Sequence, residues 1–517
     1  MKNKPFSKKA KNKIYTGAEY LDSLDDGREI WYDGKKVKDV SKHPAFRNAA
    51  RSVARFYDAM HNPDLRDDLL LEDEHGIITH KFFAPSHSNQ ELDAARKAIA
   101  ISQRVNYGWM GRTPDYKAAF MGHLGDNAAF YDKPYQANAL NWYKKTAEKC
   151  LFLNHVLVDP PVDRSQERVN VRDVFVSVDK EDSKGIYVSG AKMVATGSML
   201  THGTFVGLTG NITARMQADR DEDMAVIFFA DMNTKGLKMV CRPSYEAKAT
   251  SAFDNPLSSR YDENDAVLVM DKAFIPWENV LVYRDIERCK TFYAGSGFFN
   301  RYNLQAGVRL SVKMEFMAAL LEEGTKTSGT NKFRAIQAAI GEVVATRNII
   351  WGMTTAMVND TIPLGTDGVI PNPEMAASLR YHMATSWDKI RDIYQRYLAG
   401  APIYTISSQN DLHNPEFRPI IDQYYRGTGK PAIERIKLFK MVWDAMYSEF
   451  AGRHALYERN YSGNHDMQRI DVLSMAEKSG SMNGYRGMLN DCLNDYDDFG
   501  WKNDWVNSVK MGKAVST

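Results

Sequence analysis

The run Gly111-Arg112-Thr113-Pro114-Asp115-Tyr116 carries an arginine and a tyrosine, and Asn154-His155 follows about forty residues on, leading into Asp159-Pro160-Pro161-Val162-Asp163-Arg164. Arg112 offers a rigid fork of N–H donors, Tyr116 a phenolic hydroxyl, and His155 an imidazole that titrates near neutral pH. A cation, a hydroxyl and a titratable base are what a site needs to hold a phenol and favour its ionisation. On their own, residues 111–116 read more readily as a surface arginine ahead of a helix that opens with Pro-Asp. Likewise, a lone histidine on an apolar stretch is more often a satisfied structural group than a base.

The elements that would position these residues fall into three regimes. Pro114 disfavours helix at Thr113, so 111–113 is expected to bend ahead of a helix starting near Asp115. Up to about residue 150, polar turns alternate with helical stripes, as in 46–57 and 92–100, where apolar residues recur at three- and four-residue intervals. From 151 to 285 the runs become short and β-branched: 174–178, 185–190, 224–230 and 266–270, separated by Gly, Asp and Asn. That middle region reads as an antiparallel sheet or small barrel. From 286 to 517 helical stripes return, with Val308, Val312, Phe316 and Leu320 on one, and Ile336, Ile340 and Val343 on the next. Ile433, Ile436, Phe439 and Val442 form a third; 363–373 and 406–415 connect them. The expectation is an α+β chain with a helical domain at 1–150, a β domain at 151–285 and a helix bundle at 286–517.

Composition narrows the function classes. The 517 residues carry 67 basic and 65 acidic side chains, a net charge of +2, so no global field favours nucleic acid or a membrane surface. The basic start is followed by no apolar run of the kind a secretory signal needs, and no segment has the length of a membrane span. A cytoplasmic protein is expected. Cys150, Cys241, Cys289 and Cys492 lack metal-ligand spacing, so no metal is expected. No G-x-G-x-x-G follows a strand, and P-loop, zinc-protease and nucleophile-elbow patterns are missing.

Two further stretches attract notice. In Gly190–His202 the small residues Ala195, Thr196, Gly197 and Ser198 would let backbone approach a flat ligand, though a Gly/Ser strand end explains them as well. Residues 450–464 read as a helix ending at a Gly/Asn stop.

Taken together, 111–116, 154–164, 190–202 and 450–464 resemble the oxygenase component of 4-hydroxyphenylacetate 3-monooxygenase and its relatives, the reduced-flavin-dependent aromatic hydroxylases. The resemblance runs from Thr16-Gly17-Ala18-Glu19-Tyr20-Leu21 to the 450–464 block. It implies an acyl-CoA dehydrogenase-like fold with a central antiparallel β barrel between helical domains, usually as a homotetramer. It implies reduced FAD supplied by a separate NAD(P)H:flavin reductase, O2 as co-substrate, and ortho hydroxylation of a small phenol through a C4a-hydroperoxyflavin. The missing nicotinamide fingerprint agrees with that division of labour. By resemblance, Arg112, Tyr116 and His155 are catalytic and hold the substrate, with Gly210, Asn211 and Phe450 bordering it. His155, Val158, Pro161, Arg164, Thr196, Ser198, Asn460, Tyr461, Ser462 and Gly463 would contact flavin. The stretch 297–305 contains no histidine, which weighs against the dehalogenating, chlorophenol-type branch. Nitrophenol, aminobenzoate and heteroaromatic-acid hydroxylation remain as alternatives. A hydroxyacyl-CoA dehydratase or acyl-CoA oxidoreductase is a more distant one, because the cysteines lack an iron–sulfur arrangement.

Overall fold

The computed structural model describes residues 12–121, 123–163, 165, 166 and 168–502, in two compact units, 1–461 and 462–517. In the first unit the Arg47–His61 helix buries Ala49, Ala50, Val53, Phe56, Tyr57 and Met60, the face its three/four spacing marks out. The Asn89–Arg104 helix starts where the Ser88 side chain accepts from the Glu91 amide, and it buries Leu92, Ala95, Ala98 and Ile99. The next helix, Pro114–Met121, opens on proline, whose missing N–H costs nothing in a first turn. Lys133–Lys149 completes this helical region.

The middle strands form two sheets. One runs Lys35–Lys36, Glu29–Tyr32, Leu237–Cys241, Ala266–Pro276, Gly185–Lys192, Ser177–Asp182; the other runs Val280–Tyr283, Val226–Asp231, Gly203–Val206, Leu153–Val156. No closed barrel occurs among the described residues. Two pairings are parallel: Ile30, on a strand from outside the middle region, lies opposite Met239, and His155 lies opposite Phe205, contrary to the antiparallel expectation for 151–285. Parallel neighbours need a long crossover, and here 157–202 leaves the smaller sheet, forms the hairpin of the larger one and returns. Short-range alternation carries no trace of such a return. In the smaller sheet Val226–Ala230 is buried without interruption, as a strand covered on both faces must be.

From Ile286 the unit is mainly helical, interrupted by the hairpin of Ile362–Leu364 and Gly368–Ile370. The 30-residue Phe298–Thr327 helix is its pillar, buried almost without break from Phe298 to Met314, and it packs against Arg334–Asn359 and Pro373–Leu398. A helix buried all round reads as core rather than surface. Gly108 lets the preceding loop lie directly on this pillar. Its φ is +70°, and a Cβ there would come within 2.6 Å of the Lys313 backbone nitrogen. The Glu449–Asn460 helix closes the unit, with Ser448 as its cap. In the second unit, Asn464 starts a helix rather than ending one: its side chain accepts from the Asp466 amide at 2.8 Å, opening His465–Ser479. Ser481–Asn494 and a short hairpin follow. No helix among the described residues is long and apolar enough to cross a membrane.

Candidate functional site

The bend at 111–113 is tied down by one carboxylate. Buried Glu263 accepts from the Gly111 amide at 2.9 Å and from the Arg112 amide. Asp115 secures the helix that follows. It accepts from Thr113 Oγ1, from Gln103 Nε2 at 3.0 Å and from Gln305 Nε2 at 3.2 Å, and burial raises its carboxyl pKa against those bonds. Arg112 and Tyr116, one turn apart in space, therefore share a rigid frame.

Arg112 is 7% exposed, and its guanidinium lies 4.1 Å from the Tyr116 ring centroid. The Tyr457 and Tyr461 rings lie near the same guanidinium, at 5.1 and 5.5 Å, and are stacked on each other. Arg112 Nη1 donates to the Tyr457 hydroxyl at 2.8 Å. His155, partly exposed on the Leu153–Val156 strand, places its ring 5.7 Å from Tyr116 and edge-on to Phe298 at 5.8 Å. Tyr302 reaches Tyr116 at 6.4 Å and Phe298 at 5.0 Å, adding an aromatic side from the pillar helix. The three candidate catalytic residues thus come together. Burial raises the Tyr116 hydroxyl above its ordinary pKa, partly opposed by Arg112, so it remains a neutral donor.

The other candidates are distributed differently. Asn154 is a brace: its amide donates to Thr201 Oγ1 at 2.7 Å and its carbonyl accepts from Thr204 Oγ1 at 2.7 Å. Asp159 pairs with Lys192 at 2.7 Å in a buried contact, which anchors the proline-rich loop. Val158 before Asp159 and Pro161 and Val162 after it are exposed; Arg164 lies outside the described residues. Val194, across from this loop, is also exposed and holds φ +60°, rare for a β-branched residue. The Thr196 hydroxyl donates to Asp265 at 2.6 Å, whereas Ser198 Oγ is buried with no hydrogen-bond partner among the described residues. Gly210 is exposed at the start of the short Gly210–Thr213 helix, which also holds Asn211. Phe450 packs on His454 at 4.4 Å and Trp109 at 5.8 Å, and shares no ring contact with Tyr116 or His155 among the described residues. Asn460 is exposed at its helix end, and Tyr461 lies beside Arg112. Ser462 and Gly463 begin the second unit, where both accept from Gln468 Nε2.

Behind the site lie two charge clusters, the first partly buried and the second fully buried. Asp265 accepts from Arg242 and from both prongs of Arg453, which holds its carboxyl far below the ordinary range despite burial. Glu458 meets Arg309 and Lys313 from the pillar helix.

Two family profiles span nearly the whole chain: "4-hydroxyphenylacetate 3-hydroxylase N terminal" over residues 16–282 and "4-hydroxyphenylacetate 3-hydroxylase C terminal" over 289–490. The chain belongs to the 4-hydroxyphenylacetate 3-hydroxylase family. It is 48% identical to "Pyoverdin chromophore biosynthetic protein PvcC" of Pseudomonas aeruginosa, over 95% of this chain and 97% of that protein. It is also 48% identical to the "4-hydroxyphenylacetate 3-monooxygenase oxygenase component" of the same organism, over 94% of each. Among solved structures it resembles such an oxygenase component (HpaB) complexed with FAD and 4-hydroxyphenylacetate. There the TM-score is 0.86 at 27% identity, covering 93% of this chain and 99% of that one.

In this 4-hydroxyphenylacetate 3-hydroxylase family member, sequence reasoning missed Glu263, Tyr302, Tyr457 and the Glu458 cluster. A helical signal for some was available. Arg453, Tyr457 and Tyr461 recur every four residues, and Phe298, Tyr302, Gln305, Arg309 and Lys313 share one stripe of the pillar. A polar and aromatic stripe on an otherwise apolar helix marks side chains that need partners inside. Glu263 had no such signal, because its partners are backbone amides about 150 residues away.

Proposed function

We propose that this protein is the oxygenase component of a two-component monooxygenase that hydroxylates a small phenol ortho to its hydroxyl. It uses O2 and FAD reduced by a separate NAD(P)H:flavin reductase. The observation that carries this reading is the convergence of Arg112, Tyr116 and His155 on one aromatic-walled position.

Reduced FAD, when bound, activates O2 and supplies the oxygen atom that enters the ring. The chain's residues prepare the acceptor. Arg112 donates to the substrate's hydroxyl oxygen and favours its anionic form, and Tyr116 donates to the same oxygen. His155 takes the departing proton, which leaves electron density ortho to the oxygen. Phe298 and Tyr302 wall the ring and exclude water.

The chain offers features that fit a flat cofactor. Ser198 Oγ is buried without a partner among the described residues, beside Gly197, whose φ of +70° opens a tight turn. Val158, Val162 and Val194 expose an apolar rim nearby. Val158, Pro161, Thr196, Ser198 and His155 are the flavin contacts we assign in the first unit, with Asn460 and Tyr461 at the end of their helix. Ser462, Gly463 and Arg164 complete the assignment by family likeness. The Thr196 contribution is indirect, since its hydroxyl is held by Asp265.

The fold we assign is acyl-CoA dehydrogenase-like, and the assembly a homotetramer. Exposed Phe333, Val344 and Ile349 at and along the Arg334–Asn359 helix supply apolar surface for copies of the chain to cover. Light scattering tests that mass.

The decisive assay supplies reduced FAD aerobically and screens phenols for products heavier by one oxygen atom. The Arg112→Ala variant is expected to lose product roughly 10–100-fold, the worth of hydrogen bonds to a charged group, while binding FAD normally. Loss of FAD affinity with product yield per flavin intact would overturn the assignment.

A further inference from the structure

Among the described residues no carboxylate pairs directly with the Arg112 guanidinium, although Glu263 acts on its charge from a distance. The acidic side chain nearest its backbone, Glu263, is spent elsewhere: both its oxygens accept backbone N–H groups, and one also lies 3.4 Å from Arg453. Among the described residues, the one side chain that hydrogen-bonds the Arg112 guanidinium is Tyr457, through a neutral hydroxyl. A carboxylate in that position would fix the guanidinium and cancel its charge. A phenol fixes it and leaves the charge standing.

Tyr457 is itself held firmly. The next residue, Glu458, is clamped by Arg309 and Lys313, which locks the register of the Glu449–Asn460 helix against the pillar. Tyr461, one turn on, stacks against its ring at 5.1 Å. On the far side the contact needs Gly111, because a Cβ there would overlap the Tyr457 hydroxyl and ring. Burial keeps the phenol protonated, so it accepts from Arg112 without acquiring a competing charge.

We infer that Tyr457 is the positioning residue for Arg112: its hydroxyl occupies one prong of the guanidinium and leaves the other N–H groups, with full positive charge, for an ionised phenol. The inference rests on the proposed function and sharpens its substrate class to aromatics whose hydroxyl can ionise. O-methylated analogues fall outside it. Tyr457 acts through Arg112 and makes no claim on the reacting atoms.

The test uses the full-length protein without reduced flavin and 4-nitrophenol as a probe, because its anion is coloured and its neutral form is not. Bound probe is titrated with pH for the wild type, Tyr457→Phe, Arg112→Lys and the double variant, and FAD affinity is measured in parallel by flavin fluorescence. The wild type is expected to ionise the bound probe at lower pH than free probe. Tyr457→Phe should weaken binding of the anion about tenfold and return roughly one pH unit of that displacement, with FAD affinity unchanged. In the Arg112→Lys background, Tyr457→Phe should have no further effect, because the partner it orients is gone. A Tyr457→Phe variant matching the wild type, or an additive loss in the Arg112→Lys background, overturns the inference and leaves the proposed function standing. A wild type that binds FAD yet leaves the probe's ionisation unmoved overturns both.

Discussion

Glu458→Gln probes the strut behind the site. Glu458 is fully buried between the two arms of Arg309, one at 2.7 Å, and Lys313 Nζ at 2.8 Å; the ammonium also lies 4.1 Å from the rings of Trp109 and Trp387. Burial alone would raise the carboxyl, but the two cations hold it at about 2 against an ordinary 4.5. That drop corresponds to about 3 kcal/mol of folding stability. Because the folded-state value is the lower one, the contribution is present above about pH 4.5 and lost as pH falls toward about 2. Replacing the carboxylate by an amide strands two buried cations and is expected to cost about 3–5 kcal/mol near neutral pH. Lys313 offers the relief. Burial has already lowered its pKa to about 8, and without Glu458 the value falls further, so the variant sheds this proton at lower pH than the wild type. In that interval the unfolded chain still binds the proton, so the variant gains stability with rising pH while the wild type does not. The deficit should therefore shrink as pH rises toward about 8 and stay level above it. Denaturant midpoints read by intrinsic tryptophan fluorescence report it. Adding Lys313→Met should recover part of the loss. A deficit independent of pH, or a double variant worse than Glu458→Gln, would refute the argument.

Two other substitutions test local geometry. Gly111→Ala places a methyl group against the Tyr457 hydroxyl, so the ring must move and release Arg112; phenol hydroxylation should fall at least about tenfold at constant FAD affinity, and a full steady-state rate would contradict this. Val194→Gly should raise the free energy of unfolding by about 0.5–1 kcal/mol, read as a higher denaturant midpoint, since relief of a left-handed β-branched backbone outweighs the entropy of a new glycine; a lower midpoint would mean that φ of +60° carries no strain.

Local order was readable wherever neighbours in sequence decide it. The bend before Pro114, the stripe of Arg47–His61 and the strand run at 185–190 depend on backbone sterics and on which residues shed water together, and both act over a few positions. The convergence of residues about forty apart was reachable only by likeness to a known family. What lay beyond the sequence was set by long-range pairing. The return of 203–206 to lie parallel to 153–156 positions His155, and periodicity holds no record of a crossover. A helix does stop within 450–464, at Asn460, but Asn464 caps the following helix, because the same side chain serves either purpose until its neighbours are in place. Phe450 shows the same limit: its apolar ring is suited to a ligand wall or to the core, and packing against Trp109 and His454 settled which contacts it makes. The chain by itself thus determined which side chains were available for chemistry and the helices and turns that carry them. Only the tertiary structure decided which of them meet, since Glu263, Arg112 and Tyr457 are brought together by burial and hydrogen bonding across more than a hundred residues of intervening chain.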